Sequence, residues 1–152
     1  MATLVLHDRE VGTFFERMKS FGMEGRVALL AGPDPKRFPD APTEVLGMTE
    51  PALDQVIGRA DLLLNFHYAI DPRLLIRFRR TALVDIDPGL LQFWISRKQL
   101  SVPRHDLHFT TGETVGTASA RFPDCGIAWT HIPPPVSLER WPRAFDPRRD
   151  AS

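Results

Sequence analysis

Cysteine is nearly absent from this sequence, and an excess of positive charge is absent altogether. The one cysteine, Cys125, cannot form an internal disulfide, and no Cys/His spacing resembles a zinc site. Lys and Arg together number 19, as do Asp and Glu, so the formal net charge is zero. Without a basic excess, nucleic acid is a poor default partner.

Long apolar runs are missing as well. No run approaches the roughly 20 residues that a bilayer-spanning helix needs. Charges from His7 to Glu10 interrupt the apolar N-terminal stretch, which therefore lacks the apolar centre of a signal peptide. We expect a soluble, cytoplasmic protein without a membrane span.

Neither a Gly-x-Gly-x-x-Gly motif nor a Walker-type loop occurs, which argues against an independent dinucleotide or nucleoside triphosphate site.

What the sequence does contain is an alternation of short apolar runs and amphipathic segments. Residues 60–65 and 82–84 predict buried strands, and each run is followed by an Asp-Pro pair, at Asp71-Pro72 and Asp87-Pro88. In such a pair the Asp accepts hydrogen bonds from free helix amides, and Pro fits the first helical turn. Two strand-to-helix junctions of this kind predict a parallel sheet with crossover helices.

The predicted fold class is α/β and Rossmann-like, with a mainly parallel sheet, crossover helices and an extended Pro-rich C-terminal segment. Residues 26–30 and 107–111 are further strand candidates. We divide the chain into a Rossmann-like domain (1–120), an extended Pro/Trp segment (121–142) and a disordered tail (143–152). Trp129 and Trp141 would anchor the extended segment or meet a partner.

Two acids at the end of the second apolar run are the first candidates for a functional site. Asp85 ends a buried strand, so it must find a partner or face a cleft, where it could act as a base or bind a hydroxyl group of a ligand. Asp87 would point to the same side and could share a divalent metal with Asp85, or simply cap the helix that follows. Because the cap explains Asp87 without a metal, we expect neither metal nor other cofactor.

Polar residues after the neighbouring strands are the remaining candidates. Asn65 and His67 follow the preceding strand and would lie beside Asp85. His67 could take a proton from a hydroxyl group of a ligand, or be an ordinary surface histidine. Glu113, in a turn bounded by Gly112 and Gly116, could bind a phosphate or sugar, or the segment could be a plain turn.

The order of these motifs resembles a group of bacterial proteins identified as glycosyltransferases, which are similar to the two-domain GT-B enzymes. The likeness extends from about Val11 to Pro142 and includes the motifs at 61–65, 84–89, 109–116, 123–126 and 135–142. It implies transfer of a hexose from a nucleotide-sugar to an acceptor hydroxyl. The catalytic residues expected are Asp85 and His67, and the substrate-binding residues expected are Asn65, Asp87, Gly89, Gln92, Gly112 and Glu113.

Two features of that group have no counterpart here, an opening strand with its glycine-containing loop and a second domain that holds the nucleotide-sugar. We therefore expect an acceptor-side half that binds nucleotide-sugar and sugar acceptor only with a donor-binding domain, and that is not active alone. The alternative is a non-catalytic Rossmann-like module that binds a small ligand or a protein partner. An exposed edge of an incomplete sheet would also allow a homo-oligomer.

Overall fold

The computed structural model describes residues 8–32 and 43–141, so the N-terminal apolar stretch and the tail predicted at 143–152 lie outside the described residues. The chain forms two compact units, unit 1 (1–63 and 69–81) and unit 2 (64–68 and 82–152). The elements follow in the order α1 (Asp8–Ser20), β1 (Leu29–Ala31), β2 (Glu44–Leu46), α2 (Glu50–Arg59), β3 (Leu63–Asn65), α3 (Pro72–Leu75), β4 (Thr81–Asp85), α4 (Leu90–Ser96), β5 (Leu107–Thr110) and β6 (Thr130–His131).

In unit 1, capping residues close one end of helix α1 and one end of helix α2. The chain leaves α1 through Gly22 at φ 71, a left-handed conformation that glycine adopts without strain. The amide of Met23 then donates to the carbonyl of Met18 at 2.9 Å, which closes the helix end. Helix α2 follows Thr49, whose hydroxyl accepts a hydrogen bond from the Ala52 amide at 3.3 Å.

The strand predicted at 26–30 differs from the expectation. It is the three-residue strand β1, and it pairs antiparallel with β2, Leu30 opposite Val45, in a separate two-stranded sheet. Leu30 is 42% exposed, so the strand is not buried. A two-stranded ribbon has no further strands to cover it, which is why its side chains keep contact with solvent.

A four-stranded parallel sheet in the order β3-β4-β5-β6 confirms the predicted α/β class and is compatible with a Rossmann-like arrangement. It belongs mainly to unit 2, although Leu63 and Thr81, the first residues of β3 and β4, are counted in unit 1. All five residues of β4 are buried, whereas Leu64 at the edge is half exposed. The register sets Asp85 opposite Thr110, and Thr110 opposite His131.

The two Asp-Pro pairs have different outcomes. Asp71 caps α3 as expected, accepting from the Arg73 amide at 2.8 Å, although the helix is only four residues long. Asp87 does not cap α4, which begins at Leu90 after Gly89. The expected cap at Asp87 is wrong because the Gly89 amide, which an Asp87 cap would bind, donates to the side chain of Gln92 instead.

Strand β6 is a feature that the sequence did not predict. It falls inside the segment expected to be extended, and it pairs in parallel with β5. Trp129, just before it, packs edge-on against His108 with ring centroids 5.6 Å apart, and its indole N–H donates to the carbonyl of Asp124 at 3.1 Å. By contrast, Trp141 is 75% exposed.

Across residues 8–32 and 43–141, no helix is long and apolar enough to cross a membrane.

Candidate functional site

The carboxyl ends of three neighbouring strands in unit 2 bring polar side chains to one edge of the sheet. Asn65 ends β3, Asp85 ends β4 and Thr110 ends β5. Because the strands are parallel, these three residues lie at the same edge, where ligands of open α/β sheets usually bind. All three are buried, with relative exposures of 5%, 4% and 0% respectively. We call this region the carboxyl edge.

Asp85 is the centre of a buried hydrogen-bond network at the carboxyl edge. Its Oδ2 accepts from Gln92 Nε2 at 2.8 Å and from the Thr110 hydroxyl at 3.1 Å. Its Oδ1 accepts from the Asp87 amide at 3.1 Å. A buried carboxylate is expensive unless donors surround it, and these three donors supply that compensation. The bonds give Asp85 a structural role, and the catalytic role expected of it stays a prediction.

Gln92 connects Asp85 to the start of α4. Its Oε1 accepts from the Gly89 amide at 2.7 Å while its Nε2 donates to Asp85, so both ends of a fully buried side chain are bound. Gly89 adopts φ 95, and a Cβ there would lie 3.2 Å from the Phe122 ring. Gly89 and Gln92 were both expected to bind substrate. In the structure, the Gly89 backbone amide and the Gln92 side-chain amide form hydrogen bonds within the protein instead.

Thr110 connects Asp85 to the loop after β5. Its hydroxyl donates to Asp85 and accepts from the Gly112 amide at 3.1 Å. The Thr111 amide adds a bond to the Asp85 carbonyl at 3.0 Å. A Cβ on Gly112 would lie 2.5 Å from Pro88 Cβ, so the loops after β4 and β5 touch at this glycine. Asp85 therefore organises the loops that follow two strands.

His105 orients Asn65 in a pairing that the sequence does not predict. Asn65 Oδ1 accepts from the His67 amide at 2.9 Å, so its Nδ2 faces His105 Nε2 at 3.0 Å and donates to it. The other ring nitrogen, Nδ1, then carries the proton and donates to the Pro103 carbonyl at 2.7 Å. His105 is 4% exposed. A histidine in a polar loop carries no periodicity by which its burial could be predicted.

Three of the expected site residues remain open to solvent, His67, Asp87 and Glu113. They lie in the loops that follow β3, β4 and β5. The His67 ring stacks on Tyr68 with centroids 5.5 Å apart, and Tyr68 packs edge-on against Trp94 at 5.6 Å. These groups are the titratable side chains that the carboxyl edge presents to a ligand.

A small apolar notch adjoins these groups. It has a volume of about 30 Å³, and its lining includes Phe66, Tyr68, Ile86 and Asp87. Phe66 is 55% exposed and Ile86 62% exposed, so apolar surface and a free carboxylate stand side by side. The notch can hold an edge or a substituent of a ligand, since pockets that enclose whole ligands are ten or more times larger.

His108 and Cys125, both in unit 2, have shifted pKa values. Burial, and next the neighbouring His105, lower the pKa of His108 below the ordinary 6.5. Burial, and next the charge of Asp124, raise the pKa of Cys125, whose thiol donates to the Gln92 carbonyl at 3.2 Å. A thiol held in its protonated form is a poor nucleophile.

The residues that the structure describes contain no group of three or more His, Cys, Asp or Glu side chains arranged to hold a metal ion. Every buried polar side-chain atom in the same ranges has a hydrogen-bond partner.

Comparison with known proteins found no matching family, no matching curated protein and no matching solved structure.

Proposed function

We propose that this chain is a glycosyltransferase-like domain of the Rossmann-like GT-B type, and that its carboxyl edge binds the sugar acceptor. The observation that supports the proposal is that the polar residues at that edge form a buried group and an exposed group. Asn65, Asp85, Gln92 and Thr110 are buried and fix the loops, whereas His67, Asp87 and Glu113 are exposed in the loops they fix. Preorganised loops carrying free polar groups are suited to ligand recognition.

The exposed groups match the chemistry of a sugar. Carboxylates such as Asp87 and Glu113 accept hydrogen bonds from sugar hydroxyls, and these charge-assisted bonds are stronger than bonds between neutral groups. The exposed face of Phe66 offers apolar surface for the C–H face of a sugar ring. This pairing of carboxylate and aromatic ring supports a sugar over a phosphate, since the exposed carboxylates of Asp87 and Glu113 would repel a phosphate.

In the proposed reaction His67 acts as the base. The acceptor hydroxyl loses its proton to the imidazole, its oxygen bonds to the anomeric carbon, and the nucleoside diphosphate leaves with the electrons of the broken bond. The nucleotide-sugar would be held by a donor-binding domain, as the resemblance implies. Asn65 Oδ1 accepts a hydrogen bond from the His67 backbone amide at 2.9 Å and so positions this loop.

Calorimetric titration of the purified chain with methyl glycosides tests the proposal. We expect measurable binding that weakens about tenfold in Asp87→Asn, since a hydrogen bond to a charged group contributes roughly 1.5–3 kcal/mol. The matched control is Glu10→Gln, which removes an exposed carboxylate of α1. Equal affinity in both variants, or no binding of any glycoside, would refute the sugar site.

One observation favours a second function, a non-catalytic binding module. Both carboxylate oxygens of Asp85 are already bound within the protein, so the acid that ends β4 need not act on a substrate. A binding module would bind glycosides without releasing nucleotide from a nucleotide-sugar when a donor-binding domain is added. Release that requires His67 supports the transferase, and binding without release supports the module.

A further inference from the structure

Unit 1 contains a cavity that the sequence did not predict. Its volume is about 480 Å³, within the range of roughly 300–1,000 Å³ typical of small-ligand sites. Helices α2 and α3 and strands β1 and β2 all contribute to its lining, and we call it the α2–α3 cavity. Its apolar lining residues are Leu30, Val45, Leu53, Ala69 and Leu74.

Two ion pairs are formed by the charged residues of the α2–α3 cavity. Arg77 of the segment after α3 pairs with Asp54 of α2, and Arg73 pairs with Asp71 at 2.8 Å. In each pair the arginine charge is matched by a carboxylate. The charges of both arginines are therefore compensated before any ligand arrives, and an anionic ligand would find no unmatched positive charge among these residues.

Glu50 is the remaining charged residue of the cavity lining. It lies one helical turn before Asp54, on the same face of α2, and its side chain is exposed. Within residues 8–32 and 43–141, no ion pair involves Glu50. The described lining residues thus combine an apolar surface with one carboxylate that has no counterion there.

We propose that the α2–α3 cavity binds a small organic amine. The protonated amino group would lie at Glu50, and the apolar body would contact Leu53 and Leu74. A cationic head group gains from the unmatched carboxylate, whereas a neutral one gains only apolar contact and a carboxylate is repelled. The inference uses residues of unit 1 alone and does not depend on the proposed sugar site.

Amide NMR titrations with three probes that differ only in the head group test this proposal. The probes are 4-phenylbutylamine, 4-phenylbutanol and 4-phenylbutyrate. We expect shifts at the amides of α2 and α3, with the amine binding roughly two- to fivefold more tightly than the alcohol, the range expected for a partly exposed ion pair. The carboxylate should bind least. Binding of the carboxylate as tight as that of the amine, or no shifts on α2 and α3, overturns the proposal.

Two variants locate the head group. Glu50→Gln should remove the advantage of the amine over the alcohol and leave the alcohol affinity unchanged. Glu10→Gln removes an exposed carboxylate of α1 instead and should leave the advantage intact. An advantage that survives in Glu50→Gln shows that the amine binds elsewhere. If Glu50→Gln fails to fold, the order of the three probes on the unmodified chain still decides.

Discussion

Gln92 Nε2 donates a 2.8 Å hydrogen bond to Asp85 Oδ2, and both side chains are almost completely withdrawn from solvent. The two residues are seven positions apart, the first on α4 and the second at the end of β4. Their contact closes the strand-to-helix turn from the inside, because Gln92 also accepts from Gly89 in that turn. The candidate site depends on this contact, since the exposed groups are carried by loops that the network holds.

Replacing Gln92 with Leu tests the energetic importance of this contact. The change keeps an apolar stem but leaves the Gly89 amide without its acceptor and Asp85 without one donor. Each buried group left unpaired costs about 1–3 kcal/mol, so we expect a large loss in the free energy of unfolding in urea. Gln99→Leu is the matched control, because Gln99 is exposed, and it should change stability by less than about 0.5 kcal/mol. Similar losses in the two variants would contradict a structural role for Gln92.

Gly47 tests the packing of unit 1. Its φ is 89, and a Cβ there would lie 2.8 Å from the Val27 carbonyl oxygen and would also collide with the Phe15 ring. Gly47→Ala should therefore destabilise the chain by more than the roughly 1–2 kcal/mol cost of a left-handed backbone alone. Gly12→Ala, inside α1 with open space around it, should instead stabilise by about 0.5–1 kcal/mol. Thermal unfolding of both variants checks the opposite signs.

His108 makes the stability of the folded chain depend on pH, and the sign of this dependence follows from the lowered pKa of its ring. Because burial disfavours the charged ring in the folded state, the unfolded chain takes up this proton first. The stability that neutral His108 contributes is therefore fully present above the ordinary pKa of 6.5 and is lost as the pH falls below it. Urea midpoints measured from pH 7.5 to 5 should fall more steeply for the natural chain than for His108→Gln. A slope for His108→Gln as steep as that of the natural chain would contradict this explanation.

Cys125 should be slow to react. Its raised pKa keeps the thiol protonated, and its Sγ donates to the Gln92 carbonyl. Alkylation with iodoacetamide at pH 8 should be slower in the folded chain than in urea-unfolded chain, since the thiolate is the nucleophile. The rate should rise in Gln92→Leu if that variant loosens α4. Equal rates in the folded and unfolded chain would show that the thiol is not protected.

The sheet and its polar edge could be predicted because they follow from a short sequence pattern, an apolar run that ends in a polar residue and is followed by an Asp-Pro pair. Apolar runs ending in Asn65 and Asp85, each followed by Asp-Pro, predict parallel strands whose polar ends meet. The cap at Asp71 follows from the same pattern and is observed. The parallel sheet is observed too, although β3 is shorter and more exposed than a buried strand of that pattern.

The contacts that complete the edge could not be predicted, because they join residues far apart in sequence. Asp85 and Thr110 are 25 residues apart, and Asn65 and His105 are 40 apart. Asp87 has the sequence of a cap, but the Gly89 amide, which an Asp87 cap would bind, donates to Gln92 Oε1 instead. Strand β6 is two residues long, which is too short to leave a periodic signal, and it exists because β5 offers it a free edge.

Amide NMR mapping of a methyl glycoside on the chain is the most direct test of the proposed sugar site. We predict that the largest shifts fall in the three loops after β3, β4 and β5, at residues 66–68, 86–89 and 112–116, and that Asp87→Asn needs about tenfold more glycoside to reach half of the full shifts. Shifts confined to α2 and α3, or none in these loops, would contradict it.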